Sequence, residues 1–283
     1  MKNHTAIVYK EEWSTKLQER LSENVKWKDF MDVRYTNSRV IYNPYKTDAT
    51  LASLTPYTAY APGTPALTEE HLTVNVPWVC AEYIDRADLV QSTYLTQMDT
   101  ADRQGILMNE KIESLIYAQY GLLTTFDNTQ IGGAAGNITV TSSNIDDIIR
   151  AMKREISESK GDAMFERNGA FIVWRPADFE LLEAFCQANG FSTADNALRG
   201  GVKGGFDYMG VTHYKSQLLT AGHLIGGVKK LFTLGVLKST YGQIMVDEKD
   251  PGLVSGISVV SRFDIGYKMF ANFKPLCFNI TVA

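Results

Sequence analysis

Cysteine is scarce in this chain, and its copies lie far apart. Cys80, Cys186 and Cys277 are odd in number among 283 residues, so they cannot form a complete disulfide framework, and free thiols in a reducing compartment are expected. Long apolar runs are missing as well. No stretch approaches the ~18 consecutive apolar residues of a membrane helix, and the first residues show no basic-then-apolar leader. Neither a membrane span nor a standard export signal is expected. Nor is there a surplus of positive charge: 32 acidic against 28 basic residues leave a net charge of -4. The field of the whole chain does not favour nucleic acid, so any contact with a polyanion must be local.

Chemistry-bearing constellations are also absent. His4, His71, His213 and His223 never stand at metal-ligand spacing, and no HExxH occurs. Gly200, Gly201, Gly204 and Gly205 enclose Lys203, but the GxxxxGK[ST] spacing is missing and Phe206 opens a strand-like run, so turn geometry explains them. Residues 256–260, GISVV, fail the nucleophile-elbow pattern at the last position. Asp247, Glu248 and Asp250 cluster before Pro251, which reads as a solvated acidic loop ahead of a weak cation site. The sequence offers no catalytic residue, no cofactor-binding residue and no metal ligand, and the chain is not expected to be an enzyme. There is no internal repeat.

What is present is a long amphipathic segment. Across residues 99–121, Met108, Ile112, Leu115 and Ile116, continued by Leu122 and Leu123, recur at helical period, with Asn109, Glu110, Glu113 and Gln119 off the stripe. Asp99 or Thr100 is the expected N-terminal cap and Gly121 the left-handed C-terminal residue. Gly105 predicts irregular first turns. The stripe is expected to pack on late strands near Val259, with Glu110 and Glu113 facing outward or toward a neighbour. Leu115→Asp should then abolish folding, and charge reversal at Glu113 should at most weaken assembly.

In chain order, residues 11–24 read as a short polar helix, and residues 32–42 and 72–83 read as strands. Between those strands lie Pro44, Pro56, Pro62 and Pro65 with many Thr, Ala and Tyr residues, too few aliphatics for a core and too many residues for a turn. A projecting hairpin with an exposed tip around Tyr57 and Tyr60 fits, buried against another chain; a plain surface loop is the alternative. Asn144 is the expected cap of a helix whose apolar face is Ile145, Ile148, Ile149, Met152 and Ile156. A turn at residues 167–169, a strand FIVW and a helix opening at Pro176 follow, the last ending at Gly190. The remainder is strand-like, with turns at residues 249–252 and around Gly266. The elements mix helix and sheet, hence α+β or α/β in the middle of the chain.

The order of these elements resembles the major capsid proteins of tailed bacteriophages with the Hong Kong 97 fold. DTADRQGILMNEKIESLIYAQYG looks like that family's spine helix, the Pro/Tyr/Thr-rich hairpin like its extended loop, NIDDIIRAMKREIS followed by FIVWRPADFELL like its axial domain, and ALRGGVKGGFDYMGVTHYKS like its glycine-rich turn and strand. FTLGVLKSTYGQIMV through GISVVSRFDIGYKMFANFKP looks like the strands of its peripheral domain. The resemblance implies an α+β, Hong Kong 97-like fold. Its divisions would be an N-terminal arm at 1–32, an extended loop at 33–83, a peripheral domain at 84–126 and 233–270, and an axial domain at 127–232 and 271–283.

It implies a coat protein that assembles with itself into pentamers and hexamers of an icosahedral head, built in the host cytoplasm around double-stranded DNA. Further partners would be a portal and scaffolding or cement proteins, with no membrane contact. Lys2, Lys10, Lys16, Arg20, Lys26 and Lys28 of the arm would be the candidate DNA contacts, weakened by the acidic total. Some relatives crosslink a loop lysine to a neighbour's asparagine; Lys46 is the one lysine so placed, and no glutamate can be assigned to catalyse the step. An encapsulin-like shell is the nearest alternative, and a soluble enzyme with a lid at residues 42–70 the more distant one.

Overall fold

A computed structural model describes residues 25–48, 53, 65–85, 96–189, 206–242, 244–248 and 256–283. The polar helix at 11–24, most of the hairpin tip, the glycine pairs at 200–205, Gly190 and the turn at 249–252 lie outside the described residues. Two sheets and a long helix share a continuous core. Sheet one joins β1 (Asp32–Thr36), β12 (Thr233–Leu237), β14 (Gly256–Lys268) and β13 (Ile244–Glu248) in that order, with β6 (Val76–Asp85) on the other side of β14. β1 runs parallel to β12 and the other pairs are antiparallel.

Sheet two has six strands, β7 (Thr124–Phe126), β15 (Cys277–Thr281), β11 (His223–Val228), β8 (Ala170–Trp174), β10 (Val211–Lys215) and β9 (Phe206–Tyr208), in that order. β9 and β10 meet at Met209 and Gly210, both at positive φ, the backbone of a two-residue hairpin turn. One face of this sheet is covered by α3 (Ile145–Glu158), where Ile145, Ile148, Ile149, Met152 and Ile156 are all buried as their spacing predicts. Asn144 stands at its N-cap position as expected but makes no side-chain capping bond: its carboxamide accepts from the Thr141 amide at 2.8 Å and donates to the Thr139 carbonyl at 2.8 Å, so it pins the preceding turn. Before it, Ile138 forms an isolated parallel bridge with Val282. Between α3 and β8 the chain forms a helix α4 (Asp162–Asn168), where only a turn is expected from sequence. After β8, Pro176 opens α5 (Pro176–Ala188), and Phe179, Leu182 and Cys186 are buried.

The long helix α2 (Thr96–Tyr117) begins three residues earlier than its sequence suggests and is continuous through Gly105. At ~1.5 Å per residue it is about 33 Å long. Asp99 and Thr100, expected at the N-terminal cap, therefore lie inside the helix. At its far end a 3-10 turn at Tyr120–Leu122 contains Gly121, whose φ is not left-handed. Ile112 and Ile116 are fully buried and Leu123 nearly so, Met108 and Leu115 are partly buried, and Leu122 is exposed. No helix of the described residues is long and apolar enough to cross a membrane.

The strand expected over residues 32–42 splits. β1 enters sheet one, residues 37–39 bend away, and β2 (Val40–Tyr42) pairs antiparallel with β5 (His71–Thr73). β3 (Tyr45–Lys46) pairs with β4 (Leu67–Thr68) one step further out. These two ladders form the stem of a hairpin, which bears out the hairpin reading over the loop one for the stem.

Candidate assembly interface

Two glycines seat the hairpin stem on sheet one. Gly235 of β12 and Gly266 of β14 are directly paired across the sheet. A Cβ on Gly266 would lie 2.1 Å from the Thr73 carbonyl oxygen and 2.9 Å from the Val74 Cα. Gly266 is thus no turn: β14 runs straight through it, and its missing side chain admits the backbone leaving β5. Leu72, Val74 and Leu237 bury a small cluster over this pair, with Ile41 packed against it. Two polar contacts add to the seat: the Val74 amide donates to the Arg39 carbonyl at 2.8 Å, and the Glu70 carboxylate accepts the Ala271 amide at 3.2 Å.

Beyond the seat, apolar side chains face water. Tyr42 is 67% exposed and Leu67 64% exposed on the stem, with Tyr45 beside them. The same sheet face continues past the glycine pair onto β6, where Pro77, Val79, Ala81 and Tyr83 alternate outward, Val79 at 57% and Tyr83 at 45% exposure. In register these residues stand opposite Asp264, Arg262, Val260 and Ser258 of β14. Among the described residues β6 pairs with β14 alone, so this ten-residue strand forms an edge of the described sheet. Long edges with apolar side chains are pairing and docking surfaces unless something covers them. The opposite face of β6 turns toward α2, and the Lys111 ammonium lies 4.1 Å from the Trp78 ring centroid.

On that inner side, α2 meets β14 through polar groups as well as apolar ones. Gln104 donates to the Val259 carbonyl at 3.1 Å and accepts from the Ser261 hydroxyl at 2.5 Å, all of them buried. The contact near Val259 is thus made by Gln104, one turn before the Met108–Leu123 stripe expected there. Glu113 overturns its expected outward orientation. It is wholly buried, and its carboxylate accepts from the Lys26 amide at 2.6 Å, the Trp27 amide at 3.3 Å, the Tyr117 hydroxyl at 2.7 Å and the Ser216 hydroxyl at 3.2 Å. Burial pushes its carboxyl up from the ordinary range, against these four hydrogen bonds. The helical wheel holds a signal for this: Ile112, Glu113, Ile116 and Tyr117 form one contiguous face.

Residues that sequence reading weighed for chemistry are dispersed. Ser258 sits in β14, half-buried and paired with Tyr83. His213 is buried in β10, where its Nδ1 accepts from the Trp174 indole at 2.9 Å, and burial lowers its pKa to about 4. His223 stacks on Tyr120 with ring centroids 3.6 Å apart, and His71 stands by Tyr42 on the hairpin stem. Lys46 is exposed in β3 on the hairpin stem. The thiols are all free; burial pushes Cys277 up to about 12 and Cys186 up to about 11. Among the described residues no group of three or more His, Cys, Asp or Glu side chains could hold a metal ion. Arg150 and Arg154, which line a shallow groove beside Gln130, are tied to Asp146, Asp147, Glu155 and Glu158.

No protein-family model and no curated protein sequence matches this chain. Solved structures do match in fold. A chain of a structure of Mycobacterium phage Che8 superposes with a TM-score of 0.73 at 12% identity, covering 98% of this chain and 98% of that one. A chain from the capsid of Ralstonia phage GP4 gives 0.68 at 9% identity over 99% and 98%. One from the mature capsid of bacteriophage PhiM1 gives 0.66 at 12% identity over 98% and 92%. The chain therefore has a mixed α+β fold shared, nearly end to end, with chains of phage capsid structures.

Proposed function

We propose that this chain is the major capsid protein of a tailed bacteriophage, built on the Hong Kong 97 fold and acting through interfaces rather than chemistry. The observation that carries this reading is the likeness to the capsid of Ralstonia phage GP4 over 99% of this chain and 98% of that one. The exposed hairpin stem and the apolar edge of sheet one support it, because Tyr42 and Leu67 on the stem and Val79 on β6 are large apolar side chains that stand exposed. Under this reading α2 is the spine helix, sheet one with α2 is the peripheral domain, sheet two with α3 and α5 is the axial domain, and residues 1–32 are an arm.

Copies assemble into pentamers and hexamers that close an icosahedral head around double-stranded DNA, in the cytoplasm of the host, with a portal and any scaffolding or cement proteins as further partners. Obligate interfaces commonly bury more than about 2,000 Å². A projecting hairpin provides such area without enlarging the core. The stem, with Tyr42, Tyr45 and Leu67, covers the Val79 and Tyr83 face of a neighbouring copy. Sedimentation of the purified chain tests the reading: rings or megadalton shells are expected, and a strictly monomeric or dimeric species under all assembly conditions overturns it.

A further inference from the structure

The apolar outer face of sheet one carries an exposed charge among its apolar side chains. Arg262 stands directly opposite Val79 on that face, with its side chain 48% exposed. One terminal nitrogen of its guanidinium donates to the Asp264 carboxylate at 3.0 Å, and Asp264 is itself buried, its second oxygen having no hydrogen-bond partner. Among the described residues Arg262 is the one ion-pair partner of that carboxylate. An unpaired buried charge is strongly destabilising, so Asp264 keeps Arg262 on the face. Other cations are engaged more fully: Lys230 donates to the Lys28 and Met31 carbonyls beside α1 (Trp27–Phe30), and Arg150 lies between Asp146 and Asp147. A guanidinium carries several N–H donors in a rigid fork, and the tether to Asp264 leaves most of them for a second acceptor.

The hairpin stem offers the matching charge. Glu70 reaches the body through the Ala271 amide and Leu72 is buried against it, so alternation places Leu67, Glu69 and His71 on the side turned away. Glu69 is exposed and makes no hydrogen bond or ion pair with any described residue. The spacings of the two surfaces agree. Leu67 and His71, with Tyr42 beside His71, are separated along the chain as Val79 and Tyr83 are, by about 13 Å of extended strand. Whichever way the stem lies along β6, Glu69 falls midway, over Ala81. That small side chain leaves room, and Arg262 is its diagonal neighbour across the β6–β14 pair, within reach of a long side chain. Lys46 stands opposite Leu67 in the stem, and repulsion from Arg262 turns that strand off the edge of β6 rather than over β14.

Resting on the reading that the stem covers the β6 face, we infer that the Glu69 carboxylate of one copy pairs with Arg262 of its neighbour over Ala81, closing an Asp264–Arg262–Glu69 triad. The occupant of this face is thus a second copy of the chain, selected by charge as well as by apolar area. Because Asp264 already holds the arginine, docking orders little that was free before. The pair sets the register of the stem and disfavours stems laid with Lys46 over β14.

Sedimentation of the full chain across a concentration series, repeated at low and high salt, reads this directly. Glu69→Gln should raise the concentration at which rings form by about tenfold or more, weaken the salt dependence of assembly, and leave the melting temperature of the unassembled chain unchanged. Lys46→Gln, an equal change of charge on the same stem, should stay within about twofold of wild type. In an Arg262→Gln background, Glu69→Gln should cause no further loss, since its partner is already gone. Should Arg262→Gln fold poorly with Asp264 left alone, Arg262→Gln combined with Asp264→Asn removes both charges and serves as the background instead. A Glu69→Gln protein that assembles as wild type does, losses at Glu69 and Arg262 that add in full, or equal damage from Lys46→Gln overturns the inference while the assembly reading stands. A wild-type chain that forms no rings at any salt overturns both.

Discussion

The glycine seat under the hairpin can be tested by adding one methyl group. In Gly266→Ala the new Cβ would meet the Thr73 carbonyl oxygen at 2.1 Å, its carbon at 2.8 Å and the Val74 Cα at 2.9 Å. All three are backbone atoms, so no rotamer change relieves the contact, and the base of the hairpin must retreat by about 1 Å to reach ordinary van der Waals separation. That retreat partly uncovers Leu72, Val74 and Leu237, which are now 1%, 2% and 7% exposed. Overpacking of this kind costs about 1–3 kcal/mol, and the immovable partner places Gly266→Ala near the upper end. For a chain of this size each kcal/mol lowers the melting temperature by about 2–4 °C, so a drop of roughly 6–12 °C is expected.

Gly235→Ala is the internal control. Its nearest obstacle, at 2.5 Å, is the Leu72 Cδ2, the end of a side chain that can turn aside, so the cost should be about 1 kcal/mol or less. Because the two glycines are paired across the sheet and share Val74 as a neighbour, the double substitution should not be additive. Thermal denaturation of the two single variants decides the matter. A Gly266→Ala protein that melts within a degree of wild type, or a Gly235→Ala protein that is damaged more, refutes the seat.

Further expectations follow from the exposed face, the buried histidine and the thiols. Val79→Glu places a carboxylate opposite Arg262 on the outer face of β6; it should leave folding within about 0.5 kcal/mol yet abolish assembly, read by melting temperature and sedimentation together. His213 has a pKa lowered to about 4 by burial, so its contribution is fully present above the ordinary histidine value near 6.5 and is lost as pH falls toward 4, on the order of 3 kcal/mol at ~1.4 kcal/mol per unit. Denaturant titrations across that interval should show a shallower slope in His213→Gln, and an unchanged slope would refute the assignment. Glu113 acts in the opposite direction where the two windows overlap. In the folded chain, the Cys277 thiol should resist a thiol reagent that labels it readily after unfolding; rapid native labelling would contradict its full burial.

Much of this architecture can be read in the sequence wherever a local pattern and a tertiary role coincide. The isoleucine spacing of α3, the FIVW strand running into Pro176, and the paired strands around the proline-rich stretch are of that kind. The failures share a physical origin. Gly266 and Gly121 both look like chain-reversal signals, but glycine is also chosen where another backbone passes close by, and only the fold brings Thr73 to Gly266. Asn144 has the composition of a cap, yet its carboxamide finds the preceding turn first. Glu113 counts as polar in any periodicity, and what buries it are donors 87 and 103 residues away in sequence. The edge of β6 and the exposed stem emerge only once the strand order is known, since neither Val79 nor Leu67 differs in type from a core residue.

The central claim is that one copy's hairpin stem covers the β6 face of the next in a closed shell. A cryo-electron microscopy reconstruction of the assembled particle measures this directly. The account predicts rings of five and six subunits in which Tyr42 and Leu67 of each copy rest on Val79 and Tyr83 of a neighbour. A particle in which those four side chains remain open to solvent, or a preparation that never forms closed shells, would contradict it.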